Sequence, residues 1–191
     1  MPRVIHPIEV ESYRILRSRI DLSHLPPLSR AVAERVIHAA ADLSFGDSLI
    51  LDEQALQSGR EALLNGAPIY CDARMAAAGI TSRQPIVPLD DPRAKATEGS
   101  TRSAAAMRLA TQEAPPGAIW VIGNAPTALS ELLAHPPDDP ALIVGLPVGF
   151  VGAAEAKQAL AESVLPHVTN RGERGGSSVA VAAVNALLYY E

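Results

Sequence analysis

The chain has a single cysteine, Cys71, so it can close no internal disulfide and can build no cysteine cluster around a metal. That economy suits a reducing cytoplasm, where the protein is expected to work. Aromatic residues make up 4% of the 191 residues, so Ala, Val, Leu and Ile, within an apolar content of 48%, must build the core. No apolar run is long enough to span a bilayer, and Met1 to Glu11 carries polar and charged residues throughout, unlike a signal peptide. A net charge of −5 argues against nucleic acid as a partner. Lysine is almost missing. Of sixteen basic residues only Lys95 and Lys157 are lysine and fourteen are arginine. Arginine grips carboxylates with a planar fork, and lysine does not. A coding preference explains that excess as well as a carboxylate-rich substrate does, and composition alone does not separate them.

The patterns that are present alternate between strand and helix. Helices are expected over 6–21, with Val10, Tyr13, Leu16, Arg17 and Ile20 at helical spacing, and over Leu28–Leu43, with Leu28, Val32, Val36, Ala39 and Leu43 on one stripe. Ser44–Asp47 breaks the pattern, 48–51 is a short strand, and Asp52 caps a helix through Leu64. Strands follow at 67–72, Gln84–Leu89, Ala118–Ile122 and Ala141–Gly145, with His167–Thr169 as a last edge strand. Helices follow to Ala78, over Thr101–Ala110, Thr127–Ala134, Ala153–Ser163 and Ser177–Tyr189, and the polar loop Asp90–Ser100 is expected to be the mobile segment. This alternation predicts one α/β domain over 1–191, a three-layer α/β/α stack around a central, mostly parallel sheet.

Two strand-turn-helix units stand out, Ile122-Gly123-Asn124-Ala125-Pro126-Thr127-Ala128-Leu129 and Gly145-Leu146-Pro147-Val148-Gly149-Phe150-Val151-Gly152-Ala153-Ala154-Glu155. They place backbone N–H groups and helix starts at one edge of a parallel sheet, where α/β proteins hold ligands. Neither has the dinucleotide G-x-G-x-x-G pattern or the phosphate-loop Lys-Ser/Thr, so the glycines make room for a close ligand or a second chain. Asn124 tolerates unusual backbone angles and offers an amide. Asp72, at a strand end, orients a ligand or caps the next helix. Thr101-Arg102-Ser103 opens a helix, where hydroxyl and N–H groups bind an anion or simply cap. Arg171-Gly172-Glu173-Arg174-Gly175-Gly176 is a basic loop or a turn.

On the second helix His38 lies away from the Val32/Val36/Ala39 stripe, and Arg35 projects beside it three residues earlier. Against an anionic ligand the pair makes sense, with Arg35 holding a carboxylate while His38 donates a proton. A solvated surface face is the plainer reading of spacing alone. Arg14 and Arg17, three apart on the first helix beside Ser12, pose the same choice. No metal-binding His pair, Ser-His-Asp order or Cys-His arrangement is present, so no metal site is expected.

Ser12-Tyr13-Arg14-Ile15-Leu16-Arg17, Arg35-Val36-Ile37-His38-Ala39, Gly66-Ala67-Pro68-Ile69-Tyr70-Cys71-Asp72, Thr101-Arg102-Ser103-Ala104-Ala105 and Arg174-Gly175-Gly176-Ser177 join the Asn124 and Gly149 segments in one order. Together they resemble the precorrin-8X (cobalt-precorrin-8) methylmutases of corrin, or vitamin B12, biosynthesis. The resemblance runs from about residue 9 to 187. It is carried most specifically by the Asn124 and Gly149 segments, and Asp90–Ser100 and the Tyr189-Tyr190-Glu191 end are less family-like.

The resemblance implies an isomerase without cofactor that moves a methyl group from C11 to C12 of the macrocycle, giving hydrogenobyrinic acid or its cobalt counterpart, cobyrinic acid. It implies that His38 is the catalytic acid, that Ser12 and Arg35 touch substrate, and that a homodimer binds the macrocycle where two subunits meet. Arg14, Arg17, Arg35, Arg102 and Arg174 are then candidate partners for the acetate and propionate arms, with Asp72, Thr101 and Asn124 as further substrate contacts. A corrinoid-binding carrier on the same scaffold, or a nucleotide-using α/β enzyme favoured by the glycine turns alone, are the competing readings.

Overall fold

The computed structural model describes residues 6–190; of the segments read above, Met1–Ile5 and Glu191 lie outside them. The first helix, α1 (Pro7–Arg19), starts where the His6 side chain accepts the Ile8 N–H. Pro7 occupies its opening turn, Glu9 suits its positive end and Arg17 and Arg19 its negative end. Its only buried residue is Leu16, and Ile8 and Val10 stand exposed, so it rests lightly on the body. Next come α2 (Pro27–Ala40), the single turn α3 (Phe45–Ser48), β1 (Leu49–Leu51) and α4 (Glu53–Leu64). The Glu53 carboxylate accepts the N–H groups of Leu28 and Ser29 at 2.9 and 2.8 Å and the Ser29 hydroxyl at 2.7 Å, so α4 caps α2 from outside. Burial pushes the Glu53 carboxyl upward, but these hydrogen bonds outweigh it and hold the group below its ordinary value.

The remainder runs β2 (Ile69–Cys71), α5 (Arg74–Gly79), α6 (Arg102–Glu113), β3 (Ile119–Ile122), α7 (Pro126–Ala134), β4 (Leu142–Gly145), α8 (Ala153–Ala161), β5 (His167–Asn170) and α9 (Ser177–Leu188). The strands form one sheet in the order β1-β5-β4-β3-β2, parallel except for β1, which pairs antiparallel with β5. β3 and β4 are buried along their whole length because both faces are covered. Ile119 and Val121 face a core shared with α2, α4, α5 and α9, while Trp120 and Ile122 face the one built by α6, α7 and α8. This is the expected three-layer stack.

Several expectations need correction. The strand read at Gln84–Leu89 is a single bridge, Tyr70 to Ile86. Pro85 and Pro88, which lack N–H donors, cut it short, and Pro88–Asp90 turns into a 3₁₀ helix. β5 is not an edge strand, because the three residues of β1 cover it. The break at Ser44–Asp47 contains α3, which buries Phe45. Ala39 on α2 is exposed, Leu43 lies past the end of the helix and is exposed too, and Ala33 and Ile37 complete the buried stripe instead. The first part of the 90–100 loop is fastened, since Arg93 pairs with Asp91 and Glu113, Ala94 is buried and Arg102 donates to the carbonyls of Leu89 and Ala94, while residues 95–100 stand exposed.

Candidate functional site

α2 lies along α9, and α1 crosses nearby, leaving a cleft of about 610 Å³ lined by Ser12, Tyr13, Arg35, His38, Val181 and Asn185 among others. α9 can approach so closely because its sequence is almost all small and aliphatic. His38 sits half-buried in the last turn of α2, with its Nδ1 2.9 Å from Ser12 Oγ. A neutral imidazole accepts the Ser12 proton there, and an imidazolium donates to the same oxygen. Either way Nδ1 is occupied, and no described residue hydrogen-bonds Nε2. The imidazole lies flat against the Tyr13 ring, centroids 4.9 Å apart and planes 10° apart.

Arg35 lines the same cleft and reaches over the Tyr189 ring, 5.5 Å from its centroid. Among the described residues it has no carboxylate partner, so its fork stays available to an anion. An adjoining cleft of about 400 Å³ shares Glu9, Tyr13 and Arg35 with the first and adds Arg17. Arg17, however, is held by the Glu34 carboxylate through two bonds of 2.8 and 2.7 Å. Its guanidinium also stands 5.7 Å from the Tyr13 ring centroid. Arg14 lies exposed on α1, paired with Glu11 at 2.7 Å, and lines neither cleft.

The carboxyl edge of the sheet gathers the other candidates, and there the polar groups bond one another. Asp72 is buried, and its carboxylate accepts the N–H groups of Gly123, Asn124 and Ala125 at 3.1, 2.8 and 2.7 Å. Burial pushes its carboxyl above the ordinary value, and the three N–H donors pull the other way. It therefore straps the turn before α7 rather than capping α5. Asn124 accepts from the Ser177 hydroxyl at the start of α9, tying this edge to the His38 cleft, which Ser178 also lines. A Cβ on Gly123 would stand 2.8 Å from Ser177 Cα, so only glycine permits that approach.

Thr101 caps α6 through the Ala104 N–H and contacts Thr127 Oγ1 at 2.7 Å. Arg102 is turned to the carbonyls named above. Arg174 pairs with Asp42 at 2.6 Å and with Ser44. A Cβ on Gly175 would collide with the carbonyls of Leu146 and Pro147, so the basic loop is packed down, not loose. The structure thus brings Ser12, Arg35 and His38 together with Arg17 next door. Asp72, Asn124, Thr101, Arg102 and Arg174 lie apart from them, along the sheet edge.

Two groups of the clefts, Tyr13 and Tyr189, and one at the sheet edge, Lys157, go beyond the roles the sequence suggests. The sequence gives Tyr13 a place on the helical stripe and in the family-like Ser12–Arg17 segment, with no role at His38. Tyr189 belongs to the less family-like end, which carries no signal of a contact with Arg35. Lys157 is fully buried and donates to Asn170 Oδ1 at 3.1 Å and to the Arg174 carbonyl at 2.5 Å, which holds the 171–176 loop. Burial pushes its amine down to about 8, partly opposed by Glu173. Cys71 takes no part, because burial pushes its thiol up to about 12.

Fold and cleft together define an α/β protein that sets an imidazole beside a guanidinium with no carboxylate partner among the described residues. No group of three or more His, Cys, Asp or Glu converges as a metal site among the described residues. A model of the precorrin-8X methylmutase family matches residues 7–190. The precorrin-8X methylmutase of Pseudomonas aeruginosa is 47% identical over 93% of this chain and 91% of its own length. The cobalt-precorrin-8 methylmutase of Salmonella typhimurium is 42% identical over 96% and 94%. The crystal structure of precorrin-8X methylmutase from Thermus thermophilus superposes with a TM-score of 0.85, at 36% identity, over 96% of both chains. The chain belongs to the precorrin-8X methylmutase family and is an isomerase of cobalamin biosynthesis.

Proposed function

We propose that this chain, acting as a single unit over residues 1–191, converts precorrin-8X or cobalt-precorrin-8 into hydrogenobyrinic or cobyrinic acid. A methyl group moves from C11 to C12. The observation that carries this reading is His38 in the cleft, with Nδ1 taken by Ser12 and Nε2 unclaimed by the described residues. The imidazolium gives a proton to the conjugated ring system, which becomes electron-poor. The methyl group migrates by a 1,5-sigmatropic shift, and the proton returns to His38. Substrate and product are isomers, so no atom or electron is gained or lost. Such an acid contributes about 10²–10⁴-fold, and holding the ring in one geometry supplies the rest.

Arg35 receives a carboxylate arm of the macrocycle. The reading also takes the protein as a cytoplasmic homodimer with the macrocycle at the junction of two subunits. Exposed apolar side chains support that assembly: Phe150 and Val151 on the loop after β4, Met75 beside Asn124, and Ile8 and Val10 on α1. No described helix is long and apolar enough to cross a membrane. The test is incubation of the purified protein with each substrate, metal-free and cobalt-bearing, followed by absorbance, with sedimentation run alongside. The expected result is a colour change to product by a dimeric species. Tight binding with no spectral conversion would leave a carrier instead.

A further inference from the structure

One turn and a half of α1 does more than border the cleft. Ser12 occupies His38 Nδ1, and the next residue, Tyr13, lies flat on the imidazole, 4.9 Å between centroids and 10° between planes. Four residues on, Arg17 stands against the same Tyr13 ring at 5.7 Å, and Glu34 of α2 holds that guanidinium with two hydrogen bonds of 2.8 and 2.7 Å. Glu34 and His38 share α2, one turn apart, so the chain Glu34–Arg17–Tyr13–His38 closes a loop between the two helices. Two further facts give the loop a purpose. α1 buries only Leu16, so packing alone fixes it weakly, and one hydrogen bond leaves an imidazole free to pivot about that contact. A flat ring against its face removes the pivot.

We infer that Tyr13 is a positioning residue. Its ring, backed by the Arg17–Glu34 pair, holds the His38 imidazole at the one angle that keeps Nδ1 on Ser12 and turns Nε2 toward the bound macrocycle. The inference rests on His38 being the acid of the proposed reaction. It assigns Arg17 to the support of the acid rather than to a substrate carboxylate.

The experiment compares Tyr13→Leu, Tyr13→Phe and His38→Ala in single-turnover rate, KM and product Kd, with the His38 ring protons followed by NMR. Removing the flat face should lower kcat in Tyr13→Leu by up to about 10²-fold, with KM and product Kd near wild type. Tyr13→Phe, which keeps the face, should restore kcat. The upfield displacement that a stacked ring imposes on the His38 protons should vanish in Tyr13→Leu and persist in Tyr13→Phe. Wild-type kcat in Tyr13→Leu, or a loss confined to KM, would overturn the assignment.

If Tyr13→Leu does not fold, the wild-type enzyme decides. The His38 ring displacement must survive in its complex with product, and its disappearance on binding would count against a stack that works during catalysis. A dead His38→Ala beside a fully active Tyr13→Leu removes the Tyr13 role alone. An active His38→Ala removes the underlying reaction scheme.

Discussion

The carboxyl edge of the sheet and the cleft between α1, α2 and α9 differ in what their polar groups already hold. At the edge, Asp72 takes three backbone N–H groups, Arg102 takes two carbonyls, Thr101 caps its own helix and Arg174 pairs with Asp42. In the cleft, Arg35 meets the Tyr189 face and no carboxylate among the described residues, and His38 keeps a nitrogen that no described residue bonds. We read the self-bonded edge as a frame and the cleft, whose donors no described residue claims, as the place for a ligand. Lys157 sharpens the contrast, since a whole ammonium group is buried to hold the Arg174 carbonyl in the frame.

Substitutions can break or sharpen that division. Asp72→Ala should have the greatest effect on the frame. It strands one buried and two half-buried N–H donors and should cost about 3 kcal/mol in chemical denaturation, with the folded fraction still turning over substrate. Unchanged stability with lost product binding would move Asp72 from frame to site. Arg35→Ala should raise the product Kd about tenfold with only a small fall in melting temperature, because the guanidinium's contact within the chain is the Tyr189 face while its charge-assisted bonds go to ligand.

Glu53→Gln should lower stability at neutral pH by about 1 kcal/mol. Glu53 is held below its ordinary value, so its contribution is fully present above the unfolded carboxylate range and is lost as pH falls through the folded value. The variant should lack that part of the acid dependence in denaturation curves taken between neutral and acidic pH. Arg14→Ala, at an exposed pair with Glu11, should leave binding and stability at wild-type levels in the same assays.

The layers were legible in sequence because strands such as Ile119–Ile122 and Leu142–Gly145 are continuous apolar runs between turn residues. β1 matches the short strand read at 48–51, but the Ile86 bridge was harder, because one residue carries no period and only pairing in space defines it. Glycine spacing drew attention to the sheet edge, yet Gly123 and Gly175 serve close chain crossings there. His38 and Arg35 were visible as an i, i+3 pair, but spacing could not separate a cleft from a solvated face. That distinction depends on α9, whose small side chains let three helices meet. The roles of Tyr13 and Glu34 depend on contacts between α1 and α2, which no local pattern encodes.

The central claim is tested most directly by single-turnover absorbance with His38→Ala and precorrin-8X at enzyme excess. The account predicts that the variant binds the macrocycle with near wild-type affinity and a native melting temperature while conversion falls by about 10²–10⁴-fold. Conversion at the wild-type rate by that variant would contradict it.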